Sequence, residues 1–584
     1  MDIEKKLNPE ISSEYFFNKA SFLSRLGSGS ACRSVLGPLA IWGESNIFKT
    51  SSDLFAVKYV EQLHTNFRNF QDTILLVDKG KKHISSTVGH GLMIDHSFSN
   101  DRLDQACKNL TNLKKIIILI IITKPNIVNA DFFEDITSKI ADNTKRLSYG
   151  ISVTDVDQDG KYEFIVTGFG YSNLALSYRN GNLINIANQD VFSDEFRKTI
   201  GVAACDVDRD GYEEIYFLNT DTYSGTKKYS DRLIDLEGNK FLDMFEIEKN
   251  KEDLNLTAGR SVACVDRNGN GEYGLYVSNY GGPTRFYEIE DKKIRDKSVS
   301  LNLDKVTGGR AVVSGHILTD RSDIFAANER GANFLLKNNN GVFEDVAFDY
   351  RVDDVIQNGR GTALSDILYR GRLDIISGNW QGYHRAYALK DNQFKDIGNS
   401  KFDKPSRIRT IISADFDNDG YDEIFMNNIA EPNKLFRIKE NGAFEEIILE
   451  TGLEPDGFGT GAAVADIDDD GILELLVSRG ESKEQPLTLY KAKVDKQSKY
   501  LRIKPINKFG APARGATVTL LTNQRKHSKT IDAGSGYLCQ MEPVAHYGIR
   551  KNENNFKVEV KWTNGTKDLI KITSLNQTIT IKQK

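Results

Sequence analysis

The sequence predicts a mainly β protein: a seven-bladed β-propeller, then a small β-rich domain, with an α/β segment ahead of both. Three observations carry this. One acidic loop recurs in four near-identical copies. These copies and their degenerate relatives fall about 50 residues apart. Short strand-like runs flank each loop, where a calcium hand would have amphipathic helices.

The four loops read Asp155, Asp157, Asp159 and Glu163; Asp206, Asp208, Asp210 and Glu214; Asp415, Asp417, Asp419 and Glu423; and Asp466, Asp468, Asp470 and Glu474. Acids thus stand at positions 1, 3, 5 and 9, with glycine at 6 (Gly160, Gly211, Gly420 and Gly471). Alternating carboxylates on a tight turn point their oxygens at one centre, where without a cation they repel one another. A hard cation such as Ca²⁺ takes about six to eight oxygens at about 2.3–2.6 Å and tolerates irregular cages. The carbonyl at position 7 (Lys161, Tyr212, Tyr421 or Ile472) can supply a further oxygen. A single copy reads equally well as a polar turn, since Asp and Gly favour turns anyway. Four copies at one spacing point to Ca²⁺, about four ions.

Strands follow the loops: Phe164-Ile165-Val166, Ile215-Tyr216-Phe217, Ile424-Phe425-Met426 and Leu475-Leu476-Val477. A third, degenerate loop keeps Asp266, Asn268 and Asn270 but has Gly274 at position 9, and is expected to be a weaker metal site. A fifth runs from Asp366 to Asp374, and a fourth is almost erased between Gly315 and Asp323. First positions 155, 206, 266, 315, 366, 415 and 466 are separated by 51, 60, 49, 51, 49 and 51 residues. A unit near 50 residues with about four short strands fits a propeller blade. The segment around Phe132–Ile136 is expected to give a strand to the last blade and close the ring. The domains expected are 1–113, an internal segment 114–130, a propeller over 131–498 and a terminal domain over 499–584.

With the last acid at position 9, the loops resemble the FG-GAP/VCBS repeats of integrin-α-like propellers. Toward the C-terminus, Gly515-Ala516, Gly534-Ser535-Gly536-Tyr537, Gln540, His546-Tyr547-Gly548 and Val558 to Gly565 resemble the ASPIC/UnbV domain. The two together resemble the cartilage acidic protein 1-like family over residues 131–584. That resemblance implies a secreted, calcium-binding protein without established catalysis. Vertebrate members carry a further cysteine-rich module, so this chain resembles the shorter type. His546 has no second ligand at metal spacing and reads as structural, Trp562 reads as core, and Gly534–Gly536 opens no helix and reads as a turn.

Composition fits an extracellular scaffold. The 584 residues are 39% hydrophobic and 27% charged, which marks a globular chain too long for one core. A net charge of -5 argues against nucleic acid as a partner. Cys32, Cys107, Cys205, Cys264 and Cys539 show no metal spacing. Cys205 and Cys264 precede the second and third loops at equivalent positions and read as buried thiols, with one disulfide conceivable.

The first 130 residues stand apart. Lys114-Lys115, the apolar run Ile116–Ile122 and Val128-Asn129-Ala130 have the form of a secretory signal inside a longer reading frame. The run is too short to span a membrane. Ahead of it, residues 10–113 resemble an incomplete diphosphomevalonate decarboxylase, a GHMP-kinase-like α/β fold. Arg25 to Ser34 and Ile74 to Thr87 carry the match. It implies diphosphate binding by Ser28, Ser30, Arg33 and Ser85, since hydroxyls and a guanidinium suit phosphate oxygens. The nucleotide loop and the region of the catalytic Asp are missing, so decarboxylation by this piece is not expected. Two function classes follow. One is a calcium-stabilised, non-catalytic scaffold, secreted, periplasmic or at the cell surface, that binds an extracellular protein or glycan. The other is an inactive isoprenoid-pathway remnant, cytoplasmic if the internal signal goes unused. No acid pair or His–Ser arrangement outside the loops supports a propeller hydrolase.

Overall fold

The computed structural model describes residues 132–584 except 238–239, 292, 450–452 and 455, together with residues 19–21, 23, 40–41, 54 and 56–58. The chain divides into two units, Met1–Val128 and Asn129–Lys584. In the first, Ala40–Ile41 pairs antiparallel with Val57–Lys58, and the Ala56 amide donates to Ser21 Oγ at 2.8 Å. Nothing among its described residues supports the GHMP-kinase-like fold. Ser28, Ser30, Arg33, Ser85 and the segment 114–130 lie outside the described residues.

The second unit is built from repeated four-stranded antiparallel sheets. In the first sheet, Ser148–Thr154, Glu163–Gly168, Leu174–Arg179 and Asn182–Asn185 pair in chain order. The pattern recurs from the first strands Thr199–Cys205, Gly259–Val265, Val306–Gly315, Gly359–Ser365 and Ile408–Ala414. Gly274–Pro283 of the third sheet is long enough to pair with Val306–Gly315 as well, so the third and fourth sheets are continuous. The seventh sheet begins at Gly459–Ala465 and ends on a strand from the other end of the repeats. Phe133–Asp135 pairs with Thr488–Ala492, Phe133 opposite Ala492 and Asp135 opposite Tyr490. Each first strand neighbours the next, and Gly459–Ala465 neighbours Ser148–Thr154, so the first strands close into a ring. This is the arrangement of a β-propeller.

Local sequence explains the layout. First strands such as Gly201-Val202-Ala203-Ala204-Cys205 are buried on both faces and use small residues, because they crowd toward the axis. Second strands carry bulky residues that fill the space between sheets, as Phe164, Phe217, Phe325 and Phe425 do. Cys205 and Cys264, expected as thiols, are joined in a disulfide that staples the first strands of the second and third sheets. The two positions are equivalent in neighbouring repeats, and the ring brings their Cα atoms to 6.3 Å, within disulfide reach. Cys539 is free and buried.

The C-terminal part forms two sheets around one core. Tyr500–Ile506 lies between Ala545–Gly548 and, in parallel, Thr578–Lys582. Thr517–Leu521 lies between Lys526–Thr530 and Lys557–Lys561, and Lys567–Lys571 forms the edge. Lys557–Lys561 shows the two-residue period plainly, with Val558 and Val560 inward and Lys557 outward. Trp562 is buried in this core and donates from Nε1 to Asp568 Oδ2 at 2.8 Å. Among the described residues no helix is long and apolar enough to cross a membrane.

The terminal domain is anchored in the ring by the segment 532–541. The Gly536 amide and carbonyl pair with Thr362, both at 2.7 Å, and the Gln540 amide donates to the Ile151 carbonyl at 2.9 Å. The Gln540 side chain accepts from Ser152 Oγ and the Ala204 amide and donates to the Ala204 carbonyl. A methyl group on Gly150 would lie 2.3 Å from the Leu538 carbonyl oxygen, so only glycine admits the insert there. Buried Arg514 reaches from the domain to Glu213 Oε1 at 2.7 Å and to the Val153 carbonyl at 2.7 Å.

Candidate metal centres

All four acidic loops leave the ends of first strands and share one hydrogen-bond frame. The position-1 carboxylate accepts from the position-6 glycine amide: Gly160 to Asp155 at 2.9 Å, Gly211 to Asp206 at 3.2 Å, Gly420 to Asp415 at 3.0 Å and Gly471 to Asp466 at 2.9 Å. Those glycines hold φ of 92, 96, 87 and 82°, the left-handed region that side chains resist. The position-5 carboxylate accepts from the amide of residue 7, at 2.8 to 2.9 Å in Lys161, Tyr212, Tyr421 and Ile472. The position-9 glutamate returns to the amide of residue 2, as Glu163 does to Val156 at 2.9 Å and Glu423 to Phe416 at 3.1 Å. Asp155, Asp206 and Asp466 take a second backbone amide on the other oxygen, from Asp159, Arg209 and Asp470, so backbone donors fix the position-1 carboxylates in the loop.

Carboxylate oxygens converge within 4.8 Å in the sets Asp155, Asp157 and Asp159; Asp206, Asp208 and Asp210; Asp415, Asp417 and Glu423; and Asp466, Asp468 and Glu474. A further set joins Asp210 and Glu214 to Asp235, a third-strand residue that sequence reading missed because it lies outside the loop. Burial, reinforced by the neighbouring carboxylates, pushes Glu163 up to about 8 and Asp206 up to about 7. Glu214 and Glu423 are driven well above the carboxylate range, by burial first and by Asp208 and Asp417 next. Asp415 Oδ1 is buried with no hydrogen-bond partner. Hard oxygens, excess negative charge and an orphaned buried carboxylate oxygen all fit a divalent cation.

The third strand decides what faces each acid set. Opposite Glu423 stands Arg437, which pairs with Asp417, with Asp419 at 3.2 Å and with Glu423 at 2.8 Å. Opposite Glu474 stands Lys491, at 2.9 Å from Asp468 and 2.8 Å from Asp470 and also paired with Glu474. In the first sheet Ser177 donates to Glu163 at 3.0 Å, while half-exposed Arg179 pairs with Asp157 at 2.7 Å and donates to Ser177 at 3.4 Å.

The degenerate loops have found substitutes. Asp266 accepts from the Gly271 amide at 2.9 Å and from Thr563 Oγ1 at 2.6 Å, and Asn268 and Asn270 bring no charge. In the fifth loop Arg370 occupies position 5 and pairs with Asp374 at 2.6 Å. In the fourth, Asp323 takes the amides of Leu318, Thr319 and Asn338.

The C-terminal domain covers this loop face. The Gly548 amide donates to Asp415 at 2.8 Å, His546 Nε2 meets Asn418 Oδ1 at 2.6 Å, and the Ser528 amide donates to Asp366 at 3.0 Å. Arg502 pairs with Asp466, and Lys529 reaches Asp422 at 2.7 Å. His546 is therefore an interface residue, and burial, with Arg502 and Lys529 nearby, holds it well below the usual histidine range and so neutral.

The comparisons with known proteins agree with this architecture. The ASPIC and UnbV family model matches residues 507–584, and the FG-GAP-like repeat model matches 155–217, 366–426 and 415–477. Cartilage acidic protein 1 of Xenopus tropicalis is 44% identical over 462 residues, covering 72% of this chain and 71% of its own. The Homo sapiens protein of that name is also 44% identical over 462 residues, covering 72% of this chain and 70% of its own. Among solved structures, a chain titled "YCF48 bound to D1 peptide" aligns with a TM-score of 0.39 at 8% identity, covering 63% of this chain and 98% of that one, a likeness too slight to say more about the fold. None of these matches is to a decarboxylase. At this identity and coverage, the chain belongs to the cartilage acidic protein 1 family.

Proposed function

We propose that the protein is a calcium-binding extracellular scaffold without catalytic activity. Its ligands are Asp155, Asp157, Asp159 and Glu163 in the first loop, and Asp206, Asp208, Asp210 and Glu214 with Asp235 in the second. In the sixth and seventh loops they are Asp415, Asp417, Asp419 and Glu423, and Asp466, Asp468, Asp470 and Glu474. The position-7 carbonyls of Lys161, Tyr212, Tyr421 and Ile472 complete the sets. Calcium bound there would relieve the repulsion and set the loop face on which the C-terminal domain rests. The observation that carries this reading is convergence of the carboxylates within 4.8 Å in four separate loops. Secretion rests on family membership and on the disulfide, a bond that persists in oxidising compartments. The partner is an extracellular protein or glycan. Calcium counting on the full-length chain, with a melt in chelator, tests the proposal. Bound calcium and a lowered Tm are expected, and a calcium-free chain with an unshifted melt would refute it.

A further inference from the structure

The end of the ring away from the acidic loops has the opposite chemistry. Four successive first strands place arginine at one repeat position: Arg260, Arg310, Arg360 and Arg409. In the other three repeats that position holds Tyr149, Ile200 and Thr460, so the fold itself does not demand arginine. Arg360 and Arg409 each stand six residues ahead of the first position of their loop, roughly 20 Å along an extended strand. All four arginines are more than nine-tenths buried and line one cavity of about 560 Å³.

Their internal partners do not balance them. Glu329 is shared, accepting from Arg310 Nε at 2.7 Å and Arg360 Nη1 at 2.9 Å. Glu481 accepts from Arg409 at 2.5 Å. Among the described residues Arg260 has no carboxylate partner, and its bonds go to Thr220 Oγ1 at 3.1 Å and to the carbonyls of Gly259 and Tyr223. Nε of Arg360 and of Arg409 is buried without an acceptor. Asp221, a third acid on the cavity wall, is already engaged by the amides of Lys228 and Tyr229. Buried guanidinium groups that outnumber their carboxylate partners are costly, and an incoming oxyanion offsets the excess charge.

Tyr537, at the tip of the inserted segment, forms the floor. Its hydroxyl lies 3.4 Å from Arg310 Nη1, and Arg409 stands 5.8 Å from the ring centroid. Burial alone would raise the phenol, but Arg310, Arg409, Arg260 and Arg360 hold it below its usual range. The lining also includes the aromatic side chains of Tyr149, Phe169, Tyr223 and Trp380, all partly exposed. Arg409 lies 4.6 Å from the Trp380 centroid and Arg310 lies 4.5 Å from that of Tyr280, so the guanidinium planes are braced by aromatic rings.

The geometry points to a binding site for an acidic sugar residue: the arginines grip its carboxylate or sulfate group, and the aromatic side chains lie against the ring. Guanidinium forks match both oxyanions, and the cavity is of the size that takes a small ligand. An acidic peptide offers carboxylates but no ring to lie against the aromatic side chains, so triglutamate is the competing ligand to test. The inference stands apart from calcium binding, because the two sites lie at opposite ends of the first strands.

Calorimetric titration of the full-length chain, at constant calcium, tests it. The probes are a sulfated heparin disaccharide, glucuronic acid, triglutamate as an acidic peptide and, as the smallest oxyanion, inorganic sulfate. Saturable one-to-one binding of at least one sugar is expected, sulfate binding more weakly at the same site. Arg260→Gln should weaken the sugar by roughly tenfold or more, the loss of a charge-assisted hydrogen bond. Glu329→Gln should tighten it, because it frees Arg310 and Arg360 from their internal anion. The second variant keeps the test decisive if the first fails to fold. Binding of glucuronic acid would show that a carboxylate suffices, and binding of the disaccharide alone would show that sulfate is required. No saturable binding by either sugar, weaker binding in Glu329→Gln, or tighter binding of triglutamate than of both sugars would overturn the assignment.

Discussion

The second and seventh loops carry one motif and differ in what lies across from it. In the second, the third strand adds Asp235 to the carboxylates of Asp210 and Glu214. In the seventh, the same strand supplies Lys491, which pairs with Asp468, Asp470 and Glu474. The sixth follows the seventh, with Arg437 in that role. A motif therefore fixes loop shape, while the third strand, one hairpin beyond the loop, sets charge. A tethered ammonium or guanidinium competes with a divalent ion, whereas an added carboxylate recruits it.

The contrast can be broken most forcefully by removing calcium. A site held a thousandfold above its Kd adds about 4 kcal/mol of stability. Chelator should therefore lower Tm by many degrees, and an unchanged melt would break the account for both kinds of loop. Next in size is the Cys205–Cys264 link, which sits immediately before the second loop and closes 59 residues. Chain entropy puts its loss at about 4 kcal/mol. The paired Cys205→Ser, Cys264→Ser variant should melt lower and bind calcium more weakly at the second loop, leaving the seventh unchanged.

Smaller changes sharpen the comparison. Asp235→Asn should weaken the second loop's calcium, and Lys491→Met should strengthen the seventh's while destabilising the calcium-free chain. Calorimetry on each variant checks the signs, and equal effects at both loops would contradict the contrast. The smallest effect is that of pH on the calcium-free chain. Asp206 and Glu163 are pushed up to about 7 and about 8 in the folded state. Groups raised in this way favour folding below their unfolded values and lose that contribution as pH rises through about 8. Melts in chelator should fall between pH 5 and pH 8, and calcium should abolish the fall.

Much of this was readable in the residues. Alternating acids with glycine at position 6 define the loops because backbone and side chain act within nine residues. The period places the sheets, since each repeat must hand its first strand to the next. The phase of Phe132–Ile136 locates the strand that closes the seventh sheet. Asp235, Arg437 and Lys491 were hidden because they enter from another strand, and only register brings them to the acids. The disulfide was hidden for a related reason: 59 residues separate two cysteines that the ring places side by side. The arginines lie in the first strands at the repeat's own period, so the spacing that reveals the loops could have revealed them. The insertion of 532–541 left no such trace, because Gly534-Ser535-Gly536 reads only as a turn until the ring it enters is known.

The most direct measurement is native mass spectrometry of the full-length chain across a calcium titration, repeated with Asp206→Asn and Asp466→Asn. About four ions are expected at saturation, with the tightest lost in Asp206→Asn and a weaker one lost in Asp466→Asn. A chain that binds no calcium, or one whose tightest ion survives Asp206→Asn and disappears in Asp466→Asn, would contradict this expectation.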